Sequence, residues 1–336
     1  MSPTITRKHF LLGAAATAAL AARRVEAAPK FTIRVGTDLA HDHPIALAMK
    51  AAAGEINKTT KGEVNVLTFP DNQLGDDTHM LANVRSGAMQ MMAIGDNILA
   101  TLVPSAAIDN IGFAFKNAAT AWKALDGEVG DLVRADIDKA GLVPMRSAWD
   151  EGFRQTTTST KPIVTPADFD GFKIRVPPSP ISLALFKALG AAPVSINVAE
   201  LYTALQTHVV DGQENPLSVI ETTKFYQVQK YCSLTNHMWV GYWLLANKGF
   251  WSGMPADVRK VVEDAFNAQA AKERAANEKL DGSLEAELKK QGLVFNAPVL
   301  PPFQEKLAKS GFYKTWQEKF GPKLWSALEK YTGPLG

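Results

Sequence analysis

The chain has 336 residues, 46% of them hydrophobic and 21% charged, which is the balance of a globular protein with room for two ordinary domains. Lys and Arg together number 36 and Asp and Glu 34, a formal net charge of only +2. This balance gives no electrostatic case for a nucleic-acid or anionic-membrane partner. The single cysteine, Cys232, cannot form an internal disulfide and has no base near it in sequence, so we interpret it as an inert buried thiol.

The first 27 residues differ in kind from the rest. Two basic residues, Arg7 and Lys8, precede the apolar run 10–22, and small residues around Ala27 suit a signal peptidase. The run is too short to span a bilayer, which takes about 20 residues, so we predict a cleaved export signal over 1–27 and a periplasmic protein. The segment 6–11 also resembles a twin-arginine signal in which lysine replaces the second arginine, so the export route stays open.

Apolar runs then alternate with helical patterns. The predicted elements are strands at Phe31–Gly36, Glu63–Phe69 and Met89–Ile94, with helices between them at Ile45–Asn57 and Asp76–Ser86. Asp42 and Pro44 suit the start of the first helix, and Asp76 or Asp77 would cap the second. Strands that alternate with helices of about 10–15 residues indicate crossover units and a mostly parallel sheet.

The same alternation continues through the second half. It predicts strands at Gly141–Ala148, Phe172–Val176, Pro193–Ile196 and Trp239–Ala246, and helices at Ser179–Leu189 and Val198–Thr207. The segment Pro255–Gln291 is an almost unbroken helical pattern, longer than is usual in a compact domain, and one kinked helix lying along two domains would account for it. No flexible linker is visible, which favours two domains joined by several crossing segments.

One stretch, 171–216, carries four motifs in a fixed order. They are Lys-Ile-Arg-Val-Pro, Ala-Leu-Gly-Ala-Ala-Pro, Glu-Leu-Tyr-Thr-Ala-Leu-Gln-Thr and Val-Asp-Gly-Gln-Glu-Asn-Pro. In this combination the chain resembles the solute-binding proteins of tripartite ATP-independent periplasmic (TRAP) transporters, and within them the dicarboxylate-binding-protein-like family. The segments 69–77 and 234–238 are similar to further motifs of that family, so the resemblance covers nearly the whole chain beyond residue 27.

The resemblance implies an α/β fold of the type II periplasmic-binding class, in which two lobes joined by hinge strands and a long helix close around a ligand. By that analogy residues 28–151 with 241–280 form lobe 1, and 152–240 with 281–336 form lobe 2. The implied function is capture of a carboxylate-bearing organic acid, with an aromatic acid or a sugar acid favoured, and its delivery to the subunits of a TRAP membrane permease. We expect a monomer without enzyme activity, cofactor, metal or nucleic acid.

Arg175 is the first candidate for ligand binding. It ends a strand-like run that is closed by Pro177-Pro178, where a planar and always-charged guanidinium suits a bidentate pair with a carboxylate. From residue type alone, an ion pair with a carboxylate of the protein itself is equally open. The resemblance implies the salt bridge to the substrate acid.

Arg154 and Asn215 acquire a role through the same resemblance. Arg154 stands in a Gly-Phe-Arg-Gln pattern just after a predicted strand, and the arginine of that pattern lines the pocket in many family members. Asn215 precedes a proline, which favours extended or turn geometry, and its amide both donates and accepts hydrogen bonds. The family's asparagine contacts the substrate. A surface charge and a turn-forming asparagine are the plain alternatives.

Aromatic rings supply further candidates. Trp149 follows a predicted strand, and Trp239, Tyr242 and Trp243 fall in one segment beside the expected hinge. An aromatic face can stack on a benzenoid ring or on the apolar face of a sugar. Because most tryptophans belong to the core, each of these rings has a structural interpretation as well, and Trp149 and Trp239 rank highest because they lie beside family motifs.

Strand ends complete the set of candidates. Ligands of α/β sheets bind outside the carboxyl ends of strands, which points to Asp38 and His41 after the first strand and to Asp96 and Asn97 after the third. The His-Asp-His run that begins at His41 is too weak a pattern to predict a metal. Where relatives that bind sialic acid carry an arginine, this chain has a threonine after Gly-Asp-Asp, which argues against that substrate.

Two other function classes stay open. An exported hydrolase or lyase would need a nucleophile with its base or a set of metal ligands, and the chain has no Gly-x-Ser-x-Gly elbow and no His-Glu-x-x-His motif. The binding component of an ATP-driven importer would share the fold and differ in its membrane partner.

Overall fold

The computed structural model describes residues 28–336, so the predicted export signal lies outside the described residues. The strands of this part are β1 (Phe31–Gly36), β2 (Val64–Phe69), β3 (Met91–Gly95), β4 (Leu142–Pro144), β5 (Trp149–Phe153), β6 (Gln155–Thr158), β7 (Lys173–Val176), β8 (Ala192–Ser195), β9 (Gly212–Asn215), β10 (Tyr231–Ser233), β11 (Trp239–Asn247) and β12 (Val294–Asn296).

The helices of the same part are α1 (Pro44–Thr59), α2 (Asp77–Ser86), α3 (Asp96–Leu99), α4 (Ala118–Asp126), α5 (Glu128–Lys139), α6 (Pro180–Ala188), α7 (Val198–Gln206), α8 (Leu217–Thr222), α9 (Lys248–Gly253), α10 (Ala256–Lys290), α11 (Pro301–Lys309) and α12 (Phe312–Thr332). Short 3₁₀ helices lie at Pro104–Asn110, Pro166–Phe169 and Phe225–Gln227. Within residues 28–336, none of these helices combines the length and the apolar character that a membrane span requires.

The strands form two six-stranded sheets. The first has the order β2-β1-β3-β11-β4, with β5 also paired to β11, and the second has the order β12-β10-β6-β9-β7-β8. β1 runs parallel to β2 and β3, as the crossover pattern predicts, and β7 runs parallel to β8 and β9. β11 runs antiparallel to β3, β4 and β5, because the chain reaches it on the way back from the second sheet. The α/β class is confirmed, with mixed rather than mostly parallel sheets.

The caps of the first two helices and the strands of the 141–153 region differ in part from the prediction. The side chain of His43, not Asp42, caps α1 by accepting from the Ile45 N–H at 3.3 Å, and Pro44 lies in the first turn as predicted. Asp76 caps α2. The strand predicted at Gly141–Ala148 is wrong in its extent, since β4 ends at Pro144 and a separate strand, β5, follows.

Three segments carry the chain between the sheets. Arg154 is the one residue between β5 and β6, residues 234–238 connect β10 to β11, and α10 leads into β12. α10 is a single helix of 35 residues, which packs against α1 and β5 on one side and against α8 and β12 further along. The kink expected for this helix occurs instead in α12, where Gly321 has a φ of 76°.

The C-terminal helix α12 also connects the two halves. The Tyr313 hydroxyl donates to the Gly112 carbonyl at 3.1 Å, and Lys330 forms an ion pair with Glu128 of α5. Residues expected in lobe 2 thus contact segments expected in lobe 1. The boundaries between the lobes stay a prediction.

Candidate functional site

A small cavity lies between the two sheets, with about 20 Å³ of space available to the centres of water-sized molecules. The first sheet and its helices contribute Asp38, Leu39, Ala40, Asp77, Asn97, Ile98, Glu151 and Tyr242. The second sheet and its helices contribute Arg175, Pro177, Val198, Asn215, Val219, Thr222 and Thr223, and the connection between the sheets contributes Arg154. Four of the predicted residues lie at or just after strand ends, Asp38 at β1, Asn97 at β3, Arg175 at β7 and Asn215 at β9, where α/β sheets place their ligands.

Arg175 is buried, with 2% of its surface exposed. Its Nε donates to the carbonyl of Ile196 at 2.8 Å, and no carboxylate of residues 28–336 lies within ion-pair distance of its guanidinium. Burial lowers the pKa of Arg175 to about 10, while Glu214, Asp77 and Asp38 act in the opposite direction. Arg175 therefore forms no ion pair with a described carboxylate, the alternative that residue type alone left open. Its remaining N–H groups can donate to a ligand anion.

Arg154 lines the same cavity but is already paired. Its Nη1 lies 2.7 Å from Glu151 Oε2, its Nε lies 2.5 Å from Glu214 Oε2, and its Nη2 lies 2.7 Å from Asn215 Oδ1. Burial tends to lower the pKa of Arg154, but the Glu214 and Glu151 carboxylates outweigh burial and raise it. Most of its donors are used within the protein, so its main role in this arrangement is to hold the carboxylates and the Asn215 amide in place.

His237 extends this network to the second connecting segment. Its Nε2 lies 3.1 Å from Glu214 Oε2, and its Nδ1 lies 2.8 Å from the Thr235 hydroxyl. Glu214 therefore bonds both Arg154, between β5 and β6, and His237, between β10 and β11. Two of the three segments that join the sheets are thus bonded to one fully buried carboxylate.

The first sheet faces Arg175 with carboxyl groups. Both oxygens of Asp38 accept from the Tyr242 hydroxyl, at 3.1 and 3.2 Å, whereas Asp77 Oδ1 is buried without a hydrogen-bond partner among residues 28–336. Burial raises the pKa of both aspartates, and Asp38 raises that of Asp77 further, while Arg175 lowers both. Burial also raises the pKa of Glu151 to about 8. The cavity thus has a cationic wall and an acidic wall.

Residues 35–319 match the sequence profile of the bacterial extracellular solute-binding proteins, family 7. The chain belongs to this family, the solute-binding proteins of TRAP transporters. It is 35% identical, over 77% of each chain, to the 2,3-diketo-L-gulonate-binding periplasmic protein of Escherichia coli.

Solved structures agree with this membership. The sugar acid binding protein of Advenella mimigardefordensis in complex with galactonate has a TM-score of 0.86 and 30% identity, covering 91% of this chain and 98% of that one. A TRAP solute-binding protein of Sulfurospirillum deleyianum with bound succinate has a TM-score of 0.84 and 29% identity, covering 90% and 99%. The predicted family and the two-lobed α/β periplasmic-binding fold with a long helix are confirmed.

Four of the predicted site residues of this solute-binding protein do not line the cavity. Trp239 points away from the cavity. It lies three residues before Tyr242 on β11, so the two side chains lie on opposite faces of the strand. The Trp239 Nε1 donates to Asp150 Oδ1 at 2.8 Å. Trp149 is equally buried in the core. Asp96 binds the Asn110 amide and the Gly241 N–H, and His41 is exposed beside Asp71.

Sequence reasoning missed two acidic groups of the cavity. Asp77 was interpreted only as a helix cap, and as the first residue of α2 its side chain turns into the cavity instead. Glu151 lies at an irregularity in the pairing of β5 with β11, where it has no partner on β11. An extra residue in a strand re-aims a side chain, and no local sequence signal marked it. The doubled Asp76-Asp77 at one helix start was the available hint, since a single residue suffices as a cap.

Glu214 offers a direct test of the buried network. Replacing Glu214 by Gln leaves the buried Arg154 without its main counter-charge, so we expect a loss of about 3–5 kcal/mol in the free energy of unfolding at pH 7. Burial tends to raise the pKa of Glu214, but the Arg154 charge and then the His237 hydrogen bond outweigh burial and lower it. The contribution of Glu214 to the free energy of unfolding is therefore present above the ordinary glutamate pKa of about 4.3 and is lost as the pH falls through the lower folded value. The difference between the two proteins should therefore shrink below that pH.

Chemical denaturation at pH 7 and at about pH 3, below the ordinary glutamate pKa, measures both effects. Asp264→Asn is the matched control, because it removes one partner of the exposed Lys260–Asp264 pair and should change stability by no more than about 1 kcal/mol. Equal stability of the Glu214→Gln and control variants would contradict the assigned network.

Proposed function

We propose that this protein captures an organic acid outside the cytoplasmic membrane through Arg175 and delivers it to the subunits of a TRAP membrane permease. The observation that carries this proposal is the buried Arg175 guanidinium, which faces a cavity and has no carboxylate of the described chain as a partner. A buried charge without a counter-charge is costly, and a ligand carboxylate removes that cost through two parallel charge-assisted hydrogen bonds. Export by the segment 1–27 and action as a monomer belong to the same proposal.

The cavity supports binding without turnover. Among its described lining residues there is no serine, cysteine, histidine or lysine that could act as a nucleophile with an adjacent base. Cys232 lies elsewhere, fully buried, and burial raises the pKa of its thiol. His237 is engaged by Glu214 and Thr235.

The lining also favours a sugar acid over an aromatic acid. Tyr242 is the aromatic side chain on the cavity wall, and its hydroxyl is held by Asp38. The two tryptophans predicted to stack on a ring lie in the core. The lining combines polar side chains such as Asn97 and Thr223 with small apolar ones such as Ala40, a surface suited to a hydroxylated carbon chain.

Arg175→Ala tests the anchor. Removing one partner of a buried charge pair costs about 2–5 kcal/mol, so we expect the affinity for the bound acid to fall about thirty-fold or more. Arg175→Lys should fall nearly as far, because an ammonium cannot form the planar fork. The ligand is first found by a thermal-shift screen of organic acids, in which a ligand at about 100 times its Kd adds about 2.7 kcal/mol of stability.

Calorimetry on the folded variants gives the affinities. Arg85→Ala, which removes an exposed arginine near the end of α2, is the control and should bind as the unchanged protein does. Normal affinity in a folded Arg175→Ala variant would overturn the proposed function.

Ligand binding should also change the angle between the lobes. The cavity has walls from both sheets, and four of its five charged lining residues, Asp77, Glu151, Arg154 and Arg175, are almost fully buried. A ligand must therefore enter while the walls are apart, and it can favour closure only through contacts made in the closed form. We expect small-angle scattering to show a smaller radius of gyration with saturating ligand. An unchanged radius, with binding verified in the same sample by calorimetry, would contradict closure on binding.

A further inference from the structure

The acidic wall of the cavity bears on which acids can bind. Asp77 is 1% exposed, lines the cavity, and has a buried Oδ1 with no partner among residues 28–336. A buried carboxyl oxygen without a donor is costly, and buried polar groups in proteins nearly always have partners. A donor is therefore missing from the protein side at this position.

The neighbours of Asp77 do not supply that donor. Asp38 accepts hydrogen bonds from Tyr242 and from Thr37, so it presents further acceptor oxygens and no hydrogen of its own when ionised. Glu151, on the same wall, is paired with Arg154 and is itself a carboxyl group. Arg175 is close enough to lower the pKa of Asp77 but forms no ion pair with it.

We infer that Asp77, with Asp38, selects a monocarboxylic acid that carries hydroxyl groups and rejects a dicarboxylic acid of the same length. This inference rests on the proposed function, because it takes the ligand carboxylate to lie at Arg175. The rest of the ligand then extends toward the acidic wall. Hydroxyl groups can donate to and accept from the carboxyl groups there, whereas a second carboxylate has no hydrogen to donate and brings a further negative charge to a buried wall that already disfavours ionised carboxyl groups.

The remaining walls fit such a ligand. Asn97 offers an amide that both donates and accepts, and the hydroxyls of Thr222 and Thr223 donate to the backbone carbonyls of Ser218 and Val219, which leaves their oxygens free to accept. Apolar residues such as Leu39 and Ile98 can contact the C–H groups of the carbon chain. A ligand with hydroxyls along its length therefore finds a partner at each part of the wall.

The test uses three probes of equal chain length: galactonate, hexanoate and adipate, which are a hydroxylated monocarboxylate, a plain monocarboxylate and a dicarboxylate of six carbons. We expect galactonate to bind at least about tenfold more tightly than either of the others, since its hydroxyls form hydrogen bonds with the buried carboxyl groups that the other two probes cannot form. Tighter binding of adipate, or equal binding of adipate and galactonate, would overturn the inference.

Asp77→Asn identifies the residue responsible. The substitution keeps the size of the side chain and replaces its carboxyl group by an uncharged amide that can donate to a second ligand carboxylate, so the ratio of adipate Kd to galactonate Kd should fall about tenfold or more. Asp76→Asn is the matched control at the same helix start, because Asp76 caps α2 by accepting from the His79 N–H and does not line the cavity. It should leave the ratio unchanged, and thermal unfolding checks that both variants fold.

The outcomes separate this inference from the proposed function. An unchanged ratio in Asp77→Asn, while Arg175→Ala abolishes binding, overturns the role of Asp77 and leaves the arginine anchor intact. Normal binding of galactonate by Arg175→Ala overturns the anchor itself. If none of the three probes binds, while another acid binds through Arg175, the assigned ligand class is wrong.

Discussion

A guanidinium that is buried away from water has to be matched by negative charge, and two such groups meet where the sheets of this protein join. Arg154 is matched within the chain by Glu151 and Glu214. Arg175, equally buried, has a backbone carbonyl for its Nε and no carboxylate at ion-pair distance among the described residues. The first arginine is bonded to the junction between the sheets, and we propose that the second leaves a charge for a ligand to neutralise. The two arginines of the site thus differ in whether a carboxylate of the protein neutralises them.

The position of Arg154 couples the site to the connections between the lobes. It is the one residue between β5 and β6, and through Glu214 it is bonded to His237 in the next connecting segment. The third connection, α10, is held to β5 by the Asn277 amide, which donates to the Asp150 carbonyl at 2.9 Å. Close by, Gly152 has a φ of 112°, a backbone geometry that favours glycine. Any change in the angle between the lobes therefore acts on the residues that hold the cavity walls.

Part of this structure could be predicted from the chain. The alternation of apolar runs with helical patterns located β1 to β3, β7, β8 and β11, because buried strands and amphipathic helices have distinct periods. The four motifs in 171–216 led to the family and to Arg175. The interpretation of Asp38, Asn97 and Asn215 as cavity residues followed from strand ends and from the family resemblance, and that of Tyr242 from the aromatic residues beside the expected hinge. All four line the cavity.

The rest depends on tertiary contacts that no local pattern carries. The strand period alone assigns Trp239 to one face or the other, and only the pairing of β11 shows that Tyr242 faces the cavity and Trp239 the core. Asp77 fitted a helix cap locally, and only the tertiary fold shows that its side chain lines the same cavity as Arg175 at the end of β7. Arg154 lies at the predicted place in the cavity, but its donors are already used, because Glu214, 60 residues later in the chain, pairs with it.

The central claim is that Arg175 is kept free for a ligand carboxylate while Asp77 faces it. A crystal structure of the protein with its tightest-binding acid tests this most directly. We predict the ligand carboxylate within about 3 Å of the Arg175 guanidinium nitrogens, with a ligand hydroxyl at the same distance from Asp77. A structure in which Arg175 pairs with a carboxylate of the protein while the ligand acid is bound elsewhere would contradict the account.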